Sequence, residues 1–116
     1  MSIRMQRVQH QLLHEIYQII AKDVKDPRVE GNFITVTEVN AAPDLSQAKI
    51  YVTIMGDDPY KVLEGLNRSS GYIRSILGKR LHLKKIPKMD FYLDESFARA
   101  DKINRIIEDI DNGENE

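Results

Sequence analysis

Apolar residues in the first part of the chain recur at steps of three and four. Met5, Val8, Leu12, Ile16, Ile19 and Ile20 form one stripe, as expected of a helix with one buried face. The spacing predicts a helix over residues 3–24, with Ser2 as its N-cap. Pro27 stops it, because the residue before a proline is pushed out of the right-handed helical region. Asp26-Pro27-Arg28 therefore reads as a stop and a turn. The period then changes. Residues 33–39 (Phe-Ile-Thr-Val-Thr-Glu-Val) are rich in β-branched side chains and predict a strand. Pro43-Asp44 marks a turn within residues 41–46. Ala48, Ile50, Val52 and Ile54 alternate with more polar residues, so a second strand has one buried face. The short connection predicts antiparallel pairing.

Gly56-Asp57-Asp58-Pro59 is the next boundary, with Asp58 as a cap and Pro59 at the first helical position. Val62, Leu63 and Leu66 restore helical spacing. Gly71 interrupts it, and Ile73, Ile76 and Leu77 resume it, ending at Gly78 or running on to about Leu81. Met89, Phe91 and Leu93 alternate with Asp90 and Tyr92, predicting a third strand. Ser96 is a candidate cap for a last helix that turns Ala100, Ile103, Ile106, Ile107 and Ile110 inward. Residues 111–116 are polar and expected to form a disordered tail. The order helix, strand, strand, helix, break, helix, strand, helix predicts an α+β domain over residues 1–110. Its three-stranded sheet carries the helices on one face. There is no internal repeat.

Composition narrows the function. The 116 residues are 41% hydrophobic and 30% charged, an ordinary globular balance. Cysteine is absent, which excludes disulfides, thiol nucleophiles and cysteine-ligated metal and fits a reducing cytoplasm. No apolar run approaches the ~20 residues that span a bilayer. The N-terminus has no unbroken apolar region of the kind a signal peptide needs.

Charge changes the picture most. The net charge is -1, but residues 68–88 hold seven basic side chains and no acidic one. They are Arg68, Arg74, Lys79, Arg80, Lys84, Lys85 and Lys88. A polyanion feels local charge, within a Debye length of about 8 Å. The run also surrounds the break at Ser69-Ser70-Gly71. A mid-helix glycine costs roughly 1 kcal/mol relative to alanine, so a kink there, with Gly71 at positive φ or in close backbone approach, would explain it. The helix restarting near Gly71 would expose backbone N–H groups that attract phosphate. Arg74 would anchor the anion one turn on, with Arg68 on the other side. Lys84, Lys85 and Lys88 flank the start of the third strand and are candidate phosphate contacts. Arg4 and Arg7 share one face of the first helix and could extend the basic surface. The plain alternative is a solvated face; Tyr72, a candidate for base stacking, has an equally plain structural reading.

The element order resembles the type II KH domain, whose helix pair is usually joined by a GxxG loop. Here that position reads Ser69-Ser70-Gly71. The chain resembles the ribosome-binding factor A family, in which an Ala-x-Gly kink replaces GxxG. The resemblance rests on Arg4 and Arg7 with Val8, Asp26-Pro27-Arg28 and the strand Ile34 to Val39. It continues through Asp44-Leu45-Ser46-Gln47-Ala48, Gly71-Tyr72-Ile73-Arg74 with Leu77, and Leu83 to Asp94 with Pro87 and Phe91. It covers about residues 3–110, and Ser69 departs from the family's alanine. The resemblance implies a cytoplasmic, non-enzymatic assembly factor that binds free 30S subunits and assists late 16S rRNA maturation. Its implied partners are 16S rRNA in the 30S subunit or its precursor, ribosomal proteins and an assembly GTPase. No cofactor, metal or membrane is expected, and the chain is expected to be a monomer.

Rival chemistry is thin. His10 and His14 share a helix face, but no third ligand accompanies them. Asp57 and Asp58 are better explained as a turn and cap than as a catalytic pair. No Walker loop or nucleophile–base arrangement is present. The rival binding reading is a general single-stranded RNA-binding KH protein, against which stands the absent GxxG.

Overall fold

The computed structural model of the protein describes residues 2–95. The helix α1 spans Ile3–Lys22. Ser2 caps it, its hydroxyl accepting from the Met5 amide at 3.1 Å. Leu12, Ile16, Ile19 and Ile20 are buried, with Met5 and Val8 packed at the core's edge. The helix stops two residues short of the expected end. The amides of Asp23 and Val24 both reach the Ile19 carbonyl, so the last turn opens before Pro27 can obstruct it. Residues 26–30 form a tight turn, with the Val29 and Glu30 amides on the Asp26 carbonyl. Gly31, at φ 85°, then turns the chain into the sheet; a side chain would strain that conformation.

Strands β1 (Phe33–Ala41) and β2 (Gln47–Met55) pair antiparallel, from Phe33–Met55 to Ala41–Ala48. The register shifts between Val36 and Glu38. This bulge explains a break in the apolar alternation. Ile34 and Val36 face the core, and strict alternation would next send Glu38 inward. One extra residue restores the phase, so Val39 and Ala41 are buried instead. Strand β3 (Lys88–Leu93) lies parallel to β2, giving the order β1-β2-β3.

Helices α2 (Pro59–Arg68) and α3 (Ser70–Arg80) cover the same sheet face as α1. Asp58 caps α2, accepting from the Lys61 amide at 3.1 Å, and Pro59 occupies the first turn. The core joins Ile50, Val52 and Phe91 of the sheet to Leu12, Ile16, Leu66, Ile73 and Leu77 of the helices. The last expected helix, capped by Ser96, and the expected tail lie outside the described residues. No helix among the described residues is long and apolar enough to cross a membrane.

Candidate nucleic-acid interface

The break between α2 and α3 is a single residue. Ser69 keeps right-handed helical dihedrals, φ -87° and ψ -1°, and makes no side-chain cap. Its amide bonds back into α2, to Gly65 and Leu66, and its carbonyl accepts from the Ile73 amide at 2.9 Å. That is the first turn of α3, whose leading N–H groups lack intrahelical acceptors as at any helix start. Ser69 and Ser70 are half-buried, and Gly71 is exposed.

Gly71 departs from one of its two expected roles, the unusual backbone dihedral. It does not adopt positive φ, and a Cβ there would meet nothing within 4 Å. Within the free protein neither strain nor packing demands it. The glycine that packing demands is Gly65. A Cβ at that position would lie 2.8 Å from Val29 Cγ2 and 3.1 Å from Arg28 Cβ. Gly65 lets α2 press against the 26–30 turn.

Asn67 fixes the break relative to the sheet. Its Nδ2 donates to the Phe91 carbonyl at 3.2 Å, and its Oδ1 accepts from the Phe91 amide at 2.8 Å. The side-chain amide thus occupies the edge of β3 where another strand would pair. Nothing in the sequence marks Asn67 for this task, because it depends on which strand lies beside α2.

The seven basic residues divide by type. Arg68 pairs with Glu64 at 3.3 Å, and Glu64 also accepts from Arg28 at 3.2 Å. Arg28 grips both oxygens of Asp26, at 2.7 and 3.0 Å. This hydrogen-bonded guanidinium, helped by the Arg28 amide, lowers the Asp26 pKa from 3.8 to about 2. The same carboxylate raises the Arg28 pKa. Arg80 lies 3.0 Å from Asp23 and 3.6 Å from Glu15, tying the end of α3 to α1. Arg74 donates its Nε to the Ile86 carbonyl at 3.0 Å, so that donor serves the fold.

Lys79, Lys84, Lys85 and Lys88 are exposed and form no ion pair among the described residues. The last three sit on a held segment. Pro87 is buried, the Ile86 carbonyl is bound by Arg74, and the Lys88 amide donates to the Ser46 carbonyl at 3.2 Å. The turn at residues 42–46 therefore adjoins them. There Asp44 accepts from the hydroxyl and amide of Ser46, which hold its pKa below the ordinary value, with Lys85 adding a smaller attraction. Arg4 and Arg7 are exposed on the first turns of α1; no bond or ion pair joins them to the run. His10 and His14 are not part of a metal cluster: no group of three His, Cys, Asp or Glu able to hold a metal occurs among the described residues.

A mixed three-stranded sheet, helices on one face and a one-residue break between α2 and α3 define a KH-like α+β domain. A family model described as ribosome-binding factor A matches residues 4–107. The ribosome-binding factor A of Staphylococcus epidermidis is 41% identical over 111 residues, 94% of each chain. The crystal structure of ribosome-binding factor A from Thermus thermophilus superposes with a TM-score of 0.70 at 22% identity, covering 78% of this chain and 96% of that one. The solution structure of a Thermotoga maritima protein, a putative ribosome binding factor A, gives 0.67 at 26%, covering 78% and 87%. The chain belongs to the ribosome-binding factor A family.

Proposed function

We propose that the protein is an assembly factor for the small ribosomal subunit. It binds free 30S particles or their precursor in the cytoplasm and assists late maturation of 16S rRNA. Family membership supports the class of function. A homology model of the Thermus thermophilus factor, to which this chain is similar, has been fitted into an electron-microscopy map of that factor's complex with the 30S subunit. The observation that carries the interface is the set of lysines at 79, 84, 85 and 88, exposed and without an ion pair among the described residues. They supply positive charge that folding has not already matched. The leading N–H groups of α3, which lack intrahelical acceptors, add a second anion site beside Ser70 and Gly71, with Ser69 at the break. Arg74 acts by positioning, since it holds the segment that carries Lys84, Lys85 and Lys88. Arg68 and Arg80 contribute less, because a phosphate must compete with carboxylates already in place. Arg4 and Arg7 form a separate, smaller contact.

Recognition is of folded rRNA by shape and phosphate, with ribosomal proteins and an assembly GTPase as neighbours on the particle. The factor works as a monomer, without cofactor or catalytic residue. Gradient sedimentation of a lysate tests this reading: the protein should travel with free 30S subunits and not with 70S ribosomes. Competition between 30S particles and short single-stranded RNA tests the rival. Displacement by a short oligonucleotide at comparable concentration would favour a general single-strand binder.

A further inference from the structure

Two guanidinium groups from separate parts of the chain converge on one oxygen atom. Glu64 and Arg68 lie one turn apart on α2, with Arg68 Nη2 3.3 Å from Glu64 Oε1. Alone, that contact would be an ordinary pair on a helix surface. Arg28 makes it more than that. It comes from the 26–30 turn, 36 residues away, and its Nη1 donates to the same Oε1 at 3.2 Å.

The two carboxylates of this cluster are held differently. Asp26 accepts from Arg28 Nε and Nη2, at 3.0 and 2.7 Å, and from the Arg28 amide at 2.9 Å. Only 16% of its side chain is exposed. Glu64 is 56% exposed and holds each arginine by one longer contact. Exposed pairs of that kind add little to stability, so Glu64 is the carboxylate that can be displaced. The Asp26 grip also fixes the Arg28 guanidinium and leaves Nη1 aimed at the Glu64 oxygen. That donor can meet another anion without further ordering. Two arginines and two carboxylates balance; with Glu64 swung aside, one positive charge is left over.

A phosphate suits that place. It brings negative charge and several acceptor oxygens, which guanidinium donors match well. Arg68 is the last residue of α2, directly before the break at Ser69, so the place is followed along the chain by the leading N–H groups of α3. The plain alternative is an ion-pair network that only fastens the turn to α2.

We propose that Arg28 and Arg68 form a phosphate site that Glu64 occupies in the free protein and vacates when rRNA binds. That the phosphate belongs to rRNA rests on the assembly-factor reading. Glu64 is then a competing anion built into the surface. It weakens the hold on polyanions that cannot reach both arginines, and it refills the site on release.

Inorganic pyrophosphate is the probe, followed by nuclear magnetic resonance at the Arg28 and Arg68 side chains of the full chain. Glu64→Gln and Glu64→Ala should each bind it more tightly than wild type, by about threefold or more. Arg68→Gln in the same background should cancel the gain. Glu38→Gln removes the same charge from an exposed strand residue and should leave binding unchanged. A thermal melt near the wild-type value shows each variant folded. Equal affinity in wild type and both Glu64 variants overturns the proposal. So does a gain that Glu38→Gln shares or that survives Arg68→Gln. With 30S particles, Glu64→Gln should also raise affinity and steepen the salt slope by about one. An unchanged slope beside tighter pyrophosphate binding overturns the assignment to rRNA. A wild type that fails to bind 30S at all would sink the assembly role instead, and the pyrophosphate comparison then decides the site by itself.

Discussion

Two sets of cations share residues 68–88, and the fold treats them differently. Arg68 and Arg80 face carboxylates, and Arg74 binds a backbone carbonyl. The four lysines make no ion pair among the described residues. A guanidinium offers several donors in a fixed fork and suits a place between elements, whereas an ammonium is a strongly hydrated point charge that stays in water. The run lacks acids in sequence, but α1 and α2 bring Glu15, Asp23 and Glu64 to its arginines. Positive charge along the chain therefore overstates what a partner meets. The difference separates residues that build the platform from residues left for a ligand.

The sharpest way to break this division is to reverse the lysine charges. Glutamate at Lys84, Lys85 and Lys88 together should weaken 30S binding at least a hundredfold, or about 2.7 kcal/mol. The melting temperature should stay nearly constant, because exposed charges contribute little to folding. Equilibrium binding and a thermal melt on the same preparation check both halves.

The platform should show the opposite pattern. Gly65→Ala drives a methyl group against Val29 and Arg28, and overpacking of this kind costs about 1–3 kcal/mol. Gly71→Ala, with open space around it, should stabilise the free protein by up to about 1 kcal/mol. Denaturant titrations give both values. If Gly71→Ala nevertheless weakens 30S binding, its glycine serves close approach of rRNA to the α3 backbone.

Asn67→Ala removes two hydrogen bonds to Phe91 and should cost about 1–2 kcal/mol. Hydrogen exchange should then quicken at the Phe91 amide, which loses its acceptor. Unchanged exchange there would mean that β3 is held by β2 alone.

The smallest effect lies in acid. The folded pKa of Asp26 is about 2 against an ordinary 3.8, so the unfolded chain takes up the proton first. The stabilisation from the Asp26–Arg28 pair is complete above the unfolded value and disappears as pH falls through the folded one. The stability gap between wild type and Asp26→Asn should be constant near neutrality and close between those two values. Urea titrations at stepped pH measure it.

Much of the architecture was legible in the pattern of side chains. The stripe through Leu12 and Ile16, the caps at Ser2 and Asp58 and the alternation through Ile50 and Val52 each express a local rule. Even the bulge leaves a trace, since buried positions shift from Ile34 and Val36 to Val39 and Ala41. What the sequence hid depends on neighbours distant along the chain. Gly65 looks like a weak helix residue until the 26–30 turn packs on it. Gly71 reads as a helix breaker, yet the break falls at Ser69 and spares the glycine a positive φ. Asn67 looks like an exposed polar residue until β3 lies beside it. The basic run was visible, but its division between fold and ligand was not, because the carboxylates that decide it come from other helices.

That division is tested most directly by the salt dependence of 30S binding. Wild type should show log affinity falling with log salt at a slope on the order of -3 to -4, for about four neutralised phosphates. Neutralising Lys84, Lys85 and Lys88 to glutamine should flatten the slope by about 2–3, because about three counterion-releasing contacts are lost. Neutralising Arg68 and Arg80 to glutamine should leave the slope within about one of wild type, with each variant folded. A slope that flattens with the arginines and not with the lysines would contradict the account.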